Sequence, residues 1–257
     1  MTTVQDIRDR TGDDPITMLT AYDTPTARIA DEAGIDILLV GDSMGNAVMG
    51  YDSTLPVTVD DVASRTGAVA RGTADALVVA DMPFLSYGAD EADAVENAGR
   101  LIREAGADAV KLECGPHTVG LTERLVNLGI PVMAHVGLTP QRINQLGLEQ
   151  QGATAEAAAE IESLAETHQT AGAFSVVLEH VPDEVAADIT AALSMPTIGI
   201  GAGDATDGQV LVVTDVLGLS ENVPPFAEQF GDVAAEMRSA IEGYRDAVVD
   251  GSFPGDD

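Results

Sequence analysis

Eight short apolar runs, rich in β-branched residues, recur along this chain, and helical patterns separate most of them. The runs cover 16–22, 36–42, 75–81, 108–114, 131–137, 175–180, 196–201 and 209–214. The helical patterns include 24–34, 89–105, 118–128, 154–171 and 182–193. Near-continuous apolar strands that alternate with helices are typical of a parallel sheet covered by helices. Eight such strands in 257 residues predict an α/β fold of the (β/α)8 barrel type.

An open, doubly wound sheet is the alternative arrangement of the same elements. Such a sheet usually carries a glycine-rich phosphate loop after its first strand, and Thr-Ala-Tyr-Asp at 20–23 is no such loop. No linker, repeat or low-complexity segment interrupts the pattern. We therefore expect a single barrel domain over 1–257, with a carboxy-terminal helix around 225–249 and a short tail in the segment from about 223.

The composition is strongly acidic. Twelve Lys and Arg residues face 43 Asp and Glu residues, and the formal net charge is −31. This charge argues against nucleic-acid and anionic-membrane partners, because both bind basic patches. At about 1 M salt the screening length falls to roughly 3 Å, so the self-repulsion of such a chain largely vanishes. The acids are spread along the whole chain, which predicts a halophilic protein from a salt-rich cytoplasm.

Cysteine content and hydropathy suggest where the protein works. The single cysteine excludes an intrachain disulfide. The chain opens with no signal-peptide pattern, and no apolar run reaches about 18 residues. We therefore expect a soluble, cytoplasmic protein.

Polar residues stand where the predicted strands end. The carboxy-terminal strand ends build the active site of a barrel, so these side chains are expected to converge on one rim. They are Asp42, Ser43, Asp81, Lys111, Glu113, His135 and Glu179, with Tyr22 and Asp23 after the first strand. Lys111, the only lysine, lies in an apolar run, where a charge is costly without a partner or a ligand. A structural ion pair is the alternative to a functional role for this lysine.

Asp42, Asp81 and Glu113 come from three consecutive predicted strands. Crowded carboxylates repel, and one takes up a proton unless a cation lies among them. Oxygen ligands, few in number and facing an open cavity, suit Mg²⁺. Each acid alone could instead cap a helix or lie in a solvated loop, but three acids at successive strand ends favour a metal site.

Glu179 follows the apolar segment Ser-Val-Val-Leu, where burial favours proton uptake and makes this residue a candidate general base. A salt bridge to an arginine or to Lys111 is its alternative role. His135 could polarise a carbonyl, bind a carboxylate or hydrogen-bond to backbone in the core. We expect Cys114 to be a small buried hydrophobe and His168 to lie on a helix surface.

Several long and uncommon blocks stand along the chain. The blocks are MLTAYDTPTARIADEAGIDILLVGDSMGNAVMGYDSTLPVTVDDV, ADMPFLSY, GADAVKLE, GIPVMAHVGLTPQ, SVVLEHVP, PTIGIGAG and DGQVLVVTDVLGL. In this order they resemble the ketopantoate hydroxymethyltransferase family, and the match runs from about residue 5 to the FPG at 253–255. The resemblance implies a barrel of the phosphoenolpyruvate/pyruvate type. It also implies transfer of a one-carbon unit from 5,10-methylenetetrahydrofolate to 3-methyl-2-oxobutanoate, giving 2-dehydropantoate for pantothenate and coenzyme A.

The resemblance also implies roles for single residues. It implies that Mg²⁺ is bound by Asp42 and Asp81, with Glu113 as the third acid at the metal. It implies that Ser43 helps to hold the keto-acid carboxylate, that Lys111 binds the substrate, and that Glu179 accepts the C3 proton to give an enolate stabilised by Mg²⁺. We therefore expect the substrate to be bound by Asp42, Ser43, Asp81, Lys111 and His135.

The family commonly forms decamers of two stacked pentameric rings, which implies a homo-oligomer. Cys114 and His180 differ from the residues that are common in the family at those positions, so the resemblance does not determine the packing beside Glu113 and Glu179. A folate and a methanopterin-type donor are both compatible with the sequence.

A Mg²⁺-dependent C–C lyase or phosphonopyruvate-type mutase could use the same barrel, but the blocks GYDSTLPVT and HVGLTPQ favour the transferase. A non-enzymatic binding barrel would not need the full set of rim groups.

Overall fold

Eight parallel strands form a closed barrel in the computed structural model, which describes residues 1–10 and 14–255. The strands are β1 (Ile16–Thr20), β2 (Ile37–Val40), β3 (Leu77–Asp81), β4 (Ala109–Glu113), β5 (Val132–Gly137), β6 (Ser175–Glu179), β7 (Thr197–Ile200) and β8 (Gly208–Leu211). Each strand pairs with its neighbour in sequence, and β8 pairs with β1 to close the ring. The predicted barrel is confirmed, and the open doubly wound alternative is wrong.

Helices follow most of the strands. The α-helices are α1 (Val4–Arg8), α2 (Thr24–Glu32), α3 (Met44–Ala47), α4 (Val59–Ala70), α5 (Glu91–Arg103), α6 (Val119–Asn127), α7 (Ile143–Leu146), α8 (Ala155–Thr170), α9 (Asp183–Ala192), α10 (Val213–Val216) and α11 (Val233–Asp250). All five named helical patterns correspond to helices whose ends differ from the predicted ones by at most two residues. None of the helices in the described ranges has both the length and the apolar character that a membrane crossing needs.

Two predicted bounds differ from the structure by three residues or more. The eighth strand ends at Leu211 rather than at 214, because α10 begins at Val213. The last helix begins at Val233 rather than near 225, since the Asp232 side chain accepts from the backbone N–H of Ala235 and so caps the helix there. Prolines at 224 and 225 and a glycine at 231 precede this cap and do not favour earlier helical turns.

Alternate residues of the strands fill the barrel interior. Ile16 and Met18 on β1, Leu77 and Val79 on β3 and Ala109 on β4 belong to one buried apolar cluster. Side chains alternate along a strand, so Lys111 and Glu113 continue the inward face of β4 above Ala109. The predicted orientation of these two side chains follows from this register, and the polar rim lies directly above the apolar interior.

The chain divides into two compact units, residues 1–211 and residues 212–257. The first unit contains the whole barrel with its helices α1 to α9, and the second contains α10 and α11. All residues of the predicted site belong to the first unit.

Candidate active site

The register between strands brings the predicted residues to the carboxy-terminal end of the barrel. Asp81 on β3 pairs with Lys111 on β4. Glu113 pairs with His135 on β5, and Glu179 stands at the end of β6. In a parallel sheet these registers put successive strand ends side by side. Residues from four strands therefore face one another across the same rim.

Lys111 has partners on two sides. Its Nζ lies 2.7 Å from Oδ1 of Asp81 and 3.3 Å from Nδ1 of His135. The side chains of Lys111 and Asp81 are only 7% and 4% exposed. Burial opposes the charged ammonium, but the negative charges of Asp81 and Asp42 outweigh it and raise the pKa of Lys111 above its ordinary value. The ion pair that the sequence left as an alternative is formed, and it lies inside the candidate site.

His135 lies between Lys111 and Glu179. An ammonium only donates, so Nδ1 accepts from Lys111 and the neutral ring carries its proton on Nε2. Nε2 lies 3.1 Å from Oε2 of Glu179. The N–H···O angle of this contact is too small for a hydrogen bond, however, and Nε2 has no hydrogen-bond partner among the described residues. A buried donor without a partner is costly, so Nε2 is placed to donate to an acceptor that enters the site.

Gln141 connects two of the predicted acids. Its backbone N–H donates to both carboxylate oxygens of Glu113, at 3.2 and 3.1 Å. Its side-chain Nε2 donates to Oδ2 of Asp42 at 2.8 Å and to the carbonyl of Met82 at 3.0 Å. Its Oε1 accepts from the hydroxyl of Tyr87 at 2.8 Å. This buried residue therefore fixes Asp42 and Glu113 at the same time.

Sequence reasoning did not single out Gln141 or Tyr87 as site residues. Both lie in blocks that carry the family resemblance, HVGLTPQ and ADMPFLSY. Their signal was a polar side chain just after a predicted strand, which is too common to be specific. Only the contacts show that the two side chains share one hydrogen-bond network.

Crowding raises the pKa of two acids. Burial, and then the nearby charge of Asp81, raise the pKa of Asp42 to about 7, against the opposing effects of Lys111 and Gln141. Burial and the charge of Asp42 raise the pKa of Glu113 well above its ordinary value. The site thus concentrates more negative charge than Lys111 alone offsets, as the predicted crowding of carboxylates requires.

The donor chemistry of this cluster fits a hard cation. Asp42 and Asp81 offer carboxylate oxygens, and the backbone N–H of Asp42 donates to Oδ2 of Asp81 at 3.0 Å, which holds the two strand ends together. Oδ1 of Asp81 is buried and lies 2.7 Å from the Lys111 ammonium. No three His, Cys, Asp or Glu side chains of residues 1–10 and 14–255 gather at the spacing of a metal site. The carboxylates of Asp42 and Asp81 therefore fit a cation.

Ser43 lies at the start of α3 and its hydroxyl is 2.9 Å from the hydroxyl of Tyr22. This contact joins the end of β1 to the loop after β2, beside Asp42. Asp23, in contrast, caps α2 by accepting from the backbone N–H of Thr26 at 2.9 Å. The helix-cap alternative is therefore realised for Asp23, which does not join the cluster.

Gly137 at the end of β5 has a positive φ of 95°, and a Cβ there would lie 2.3 Å from the carbonyl oxygen of Glu179. Any side chain would push the ends of β5 and β6 apart, so this glycine allows the close approach of His135 and Glu179.

The two other side-chain expectations had different outcomes. Cys114 is 4% exposed, and burial raises the pKa of its thiol to about 12, so it is the expected small buried hydrophobe. The expectation for His168 is wrong, because this residue is fully buried. Its Nδ1 lies 2.9 Å from the hydroxyl of Thr122 on α6, and this polar contact between α8 and α6 offsets the burial of the ring.

The structure defines the chain as a closed parallel (β/α)8 barrel, and its fold is similar to that of solved members of the phosphoenolpyruvate mutase/isocitrate lyase superfamily. A phosphoenolpyruvate phosphomutase from Streptomyces platensis subsp. rosaceus superposes with a TM-score of 0.65 and 17% identity, over 96% of this chain and 87% of the other. A phosphonopyruvate hydrolase solved with oxalate and Mg²⁺ gives a TM-score of 0.64 and 13% identity, over 100% and 90% of the two chains. At such identities the likeness shows the fold alone.

The family follows from the sequence comparison. The family described as ketopantoate hydroxymethyltransferase matches residues 1–256. The 3-methyl-2-oxobutanoate hydroxymethyltransferase of Natronomonas pharaonis is 68% identical over 98% of this chain and 94% of that protein. Its namesake in Haloarcula marismortui is 62% identical over 99% and 94%. The chain belongs to the ketopantoate hydroxymethyltransferase family. The predicted enzyme class, a 3-methyl-2-oxobutanoate hydroxymethyltransferase of pantothenate biosynthesis, is confirmed.

Proposed function

We propose that the rim residues carry out the transfer of a hydroxymethyl group to 3-methyl-2-oxobutanoate, with 5,10-methylenetetrahydrofolate as the one-carbon donor. The observation that carries this proposal is the continuous row Asp81, Lys111, His135 and Glu179, in which each side chain lies within 3.3 Å of the next. The row combines a fixed positive charge, a donor and a carboxylate base in one buried strip. A 2-keto acid that loses a proton at C3 needs all three of these groups.

Mg²⁺ is the cation that the donor set suits, with Asp42 and Asp81 as ligands and Glu113 as the third acid beside it. When bound, it would act as a Lewis acid toward the keto-acid oxygens. The support is the pair of strand-end carboxylates that Asp42 N–H ties together and the buried Oδ1 of Asp81. Gln141 holds Glu113 and Asp42 in place, through hydrogen bonds from its backbone N–H and its side-chain amide.

Lys111 and His135 provide the positive and donating groups. The Lys111 ammonium, held by Asp81, sets a permanent positive charge where the substrate becomes more anionic. The His135 Nε2–H, which has no hydrogen-bond partner among the residues described, is free to donate to a substrate oxygen. Ser43, held by Tyr22, donates to the keto-acid carboxylate at the other side of the cluster.

Glu179 removes the C3 proton. Its side chain is 18% exposed, so it faces the open end of the barrel and can reach a bound substrate. The electron pair of the C3–H bond moves toward C2 and gives an enolate. The methylene carbon of the donor is bonded to two nitrogens, and one of these bonds opens to give an iminium. C3 attacks this carbon and forms the C–C bond, and water then displaces the second nitrogen and supplies the hydroxyl group. The proton from C3 and one proton from water end on the two nitrogens, so the products are 2-dehydropantoate and tetrahydrofolate.

Exchange of the C3 proton tests this assignment directly. Glu179→Gln keeps the shape of the side chain and removes its basicity, so the rate of deuterium exchange at C3 of 3-methyl-2-oxobutanoate should fall by about 10²–10⁴-fold. Glu184→Gln, an exposed residue in the first turn of α9, is the matched control and should leave the rate unchanged. Normal exchange in Glu179→Gln would transfer the base role to another residue, with His135 as the first candidate.

The acidic composition supports a second part of the proposal, that the enzyme works in the cytoplasm at molar salt and as a homo-oligomer, the decamer of the family. Lys111 is the only lysine and is buried, so the protein presents no ammonium side chain to solvent. Relatives with 62–68% identity come from haloarchaea.

A further inference from the structure

The loop that follows β3 turns back over the rim and brings Tyr87 against the end of β4. The backbone N–H of Ser86 donates to the carbonyl of Pro83 at 3.0 Å, and the side-chain amide of Asn97 on α5 donates to the carbonyl of Ser86 at 2.9 Å. Leu85, inside this turn, has a φ of 61°, which is costly for a leucine and persists only where the surrounding structure imposes it. The contacts of this loop therefore hold Tyr87 in one place.

The hydroxyl of Tyr87 takes the place of a strand neighbour. β3 ends at Asp81, which pairs with Lys111, so the register leaves Glu113 beyond the end of β3. The backbone N–H of Glu113 donates instead to the hydroxyl of Tyr87 at 3.2 Å. A backbone N–H at a strand end that is shielded from water needs such an acceptor. Tyr87 thus supplies the hydrogen bond that a longer β3 would provide.

The single proton of the Tyr87 hydroxyl goes to Gln141. A backbone N–H only donates, so the phenol oxygen accepts from Glu113 and has one proton to give. Oε1 of Gln141 lies 2.8 Å from this oxygen, whereas the carbonyl of Glu113 lies 3.3 Å from it. Burial, and then the charge of Glu113, raise the pKa of Tyr87 well above its ordinary value, so the proton stays on the phenol. Tyr87 is therefore a donor to the Gln141 side chain.

This donated proton decides which way the Gln141 amide faces. With Oε1 at Tyr87, its Nε2 donates to Oδ2 of Asp42 at 2.8 Å and to the carbonyl of Met82 at 3.0 Å. A rotation of the amide by half a turn would put Oε1 against these two acceptors and leave Asp42 without its donor. The backbone N–H of Gln141 also donates to the carboxylate of Glu113. The bonds therefore close a ring from the main chain of Glu113 through Tyr87 and Gln141 to its own carboxylate.

We propose that Tyr87 is a positioning residue of the site: its hydroxyl orients the Gln141 amide and so holds the Asp42 carboxylate where it can bind a cation. Tyr87 acts on Asp42 through Gln141, so removal of the hydroxyl leaves the carboxylate present but less well held. The inference rests on the proposed function, because it takes Asp42 as a ligand of Mg²⁺.

Titration with Mg²⁺ alone tests this role, measured by calorimetry on the full chain in 2 M KCl. Tyr87→Phe deletes only the hydroxyl, and the Kd for Mg²⁺ should rise about fivefold, the effect of one net hydrogen bond. Tyr244→Phe removes the same group from an exposed position on α11 and should keep the original Kd. A Kd in Tyr87→Phe equal to that of this control overturns the proposal. If Tyr87→Phe is too unstable for calorimetry, the rise of its unfolding midpoint with added Mg²⁺ gives the same comparison.

A double variant tests the route through Gln141. Tyr87→Phe/Gln141→Leu should bind Mg²⁺ within about twofold of Gln141→Leu alone, because the hydroxyl then has no amide to orient. Additive losses would show that Tyr87 acts independently of Gln141 and would contradict the proposal. In Tyr87→Phe, the rate of C3 exchange at saturating Mg²⁺ should fall by a smaller factor than the Kd rises. A larger fall in rate than in affinity would also overturn the positioning role.

Asp42→Asn separates this inference from the proposed function. This variant should lose Mg²⁺ binding in the same titration. Binding that survives Asp42→Asn would refute the proposed metal site and, with it, the role of Tyr87. Loss of binding in Asp42→Asn together with a normal Kd in Tyr87→Phe would overturn the role of Tyr87 alone.

Discussion

Replacement of Lys111 by methionine probes the only positive side chain in the described rim cluster, which is deeply buried. The Lys111 Nζ and Asp81 Oδ1 lie 2.7 Å apart with side chains that are 7% and 4% exposed, so the substitution leaves an uncompensated buried carboxylate. Removal of one partner of a buried pair typically costs about 3–5 kcal/mol of unfolding free energy. The barrier to catalysis should rise by about 2.7–4 kcal/mol, since a fixed charge aimed at developing negative charge is lost. Lys111→Met should therefore be both less stable and about 10²–10³-fold slower.

A second substitution separates stability from catalysis. In Lys111→Met/Asp81→Leu both charges are gone, and replacement of a buried ion pair by apolar groups is often close to neutral. Both variants lose the contact between Lys111 and His135. The double variant also loses the hydrogen bond from the Asp42 N–H, whose unmet donor costs about 1–3 kcal/mol, and it should still be more stable than the single variant because no buried charge is left unpaired by the substitution. It should nevertheless remain inactive. Lys111→Arg keeps the charge but replaces a compact ammonium by a planar fork, so it should restore activity poorly.

Denaturant unfolding in 2 M KCl, with chelator and with added Mg²⁺, measures the stability term, and kcat/KM for keto acid measures the catalytic one. If Mg²⁺ binds at Asp81, its charge should restore part of the stability that Lys111→Met loses, and the effect should be absent in the double variant. The reasoning is refuted if Lys111→Met matches the original protein in unfolding midpoint without Mg²⁺, because the buried pair would then contribute nothing.

Three further outcomes are expected. Asp42→Asn should abolish Mg²⁺-dependent turnover. In metal-free protein, the raised pKa of Asp42 favours the folded state below about pH 4, and this contribution is lost as the pH rises through about 7. The unfolding free energy of Asp42→Asn should therefore depend less steeply on pH between these two values. An unchanged slope contradicts this. Gln141→Leu keeps the backbone donor to Glu113 but deletes the one to Asp42, so it should weaken Mg²⁺ binding, measured by calorimetry, more than Gln145→Leu does. Activity and assembly should be lost as KCl falls below about 0.5 M, where the charge of −31 is less well screened, and equal stability at 50 mM and 2 M KCl by light scattering and circular dichroism would contradict the salt requirement.

The sequence by itself determined the elements of this fold. Apolar β-branched runs and helical periodicity reflect local preference and burial, and these are written into neighbouring residues. That is why all eight strands appear where the pattern predicts them. The ends were less well determined, as the start of α11 at Val233 shows, because a single cap at Asp232 decides them. The identity of the rim residues was also visible, since a charge such as Lys111 in an apolar run is rare enough to be informative.

The tertiary structure alone decided how these residues meet. Closure of the barrel depends on the pairing of β8 with β1, two strands almost 200 residues apart, which no local pattern specifies. The place of His135 between Lys111 and Glu179, at 3.3 and 3.1 Å, depends on the registers of β4, β5 and β6. Gln141 and His168 are ordinary polar residues in the sequence, and only their burial beside particular partners gives them roles. Local preferences select strands and helices, but long-range pairing and packing set the distances between side chains. The electrostatic interactions of the site depend on those distances.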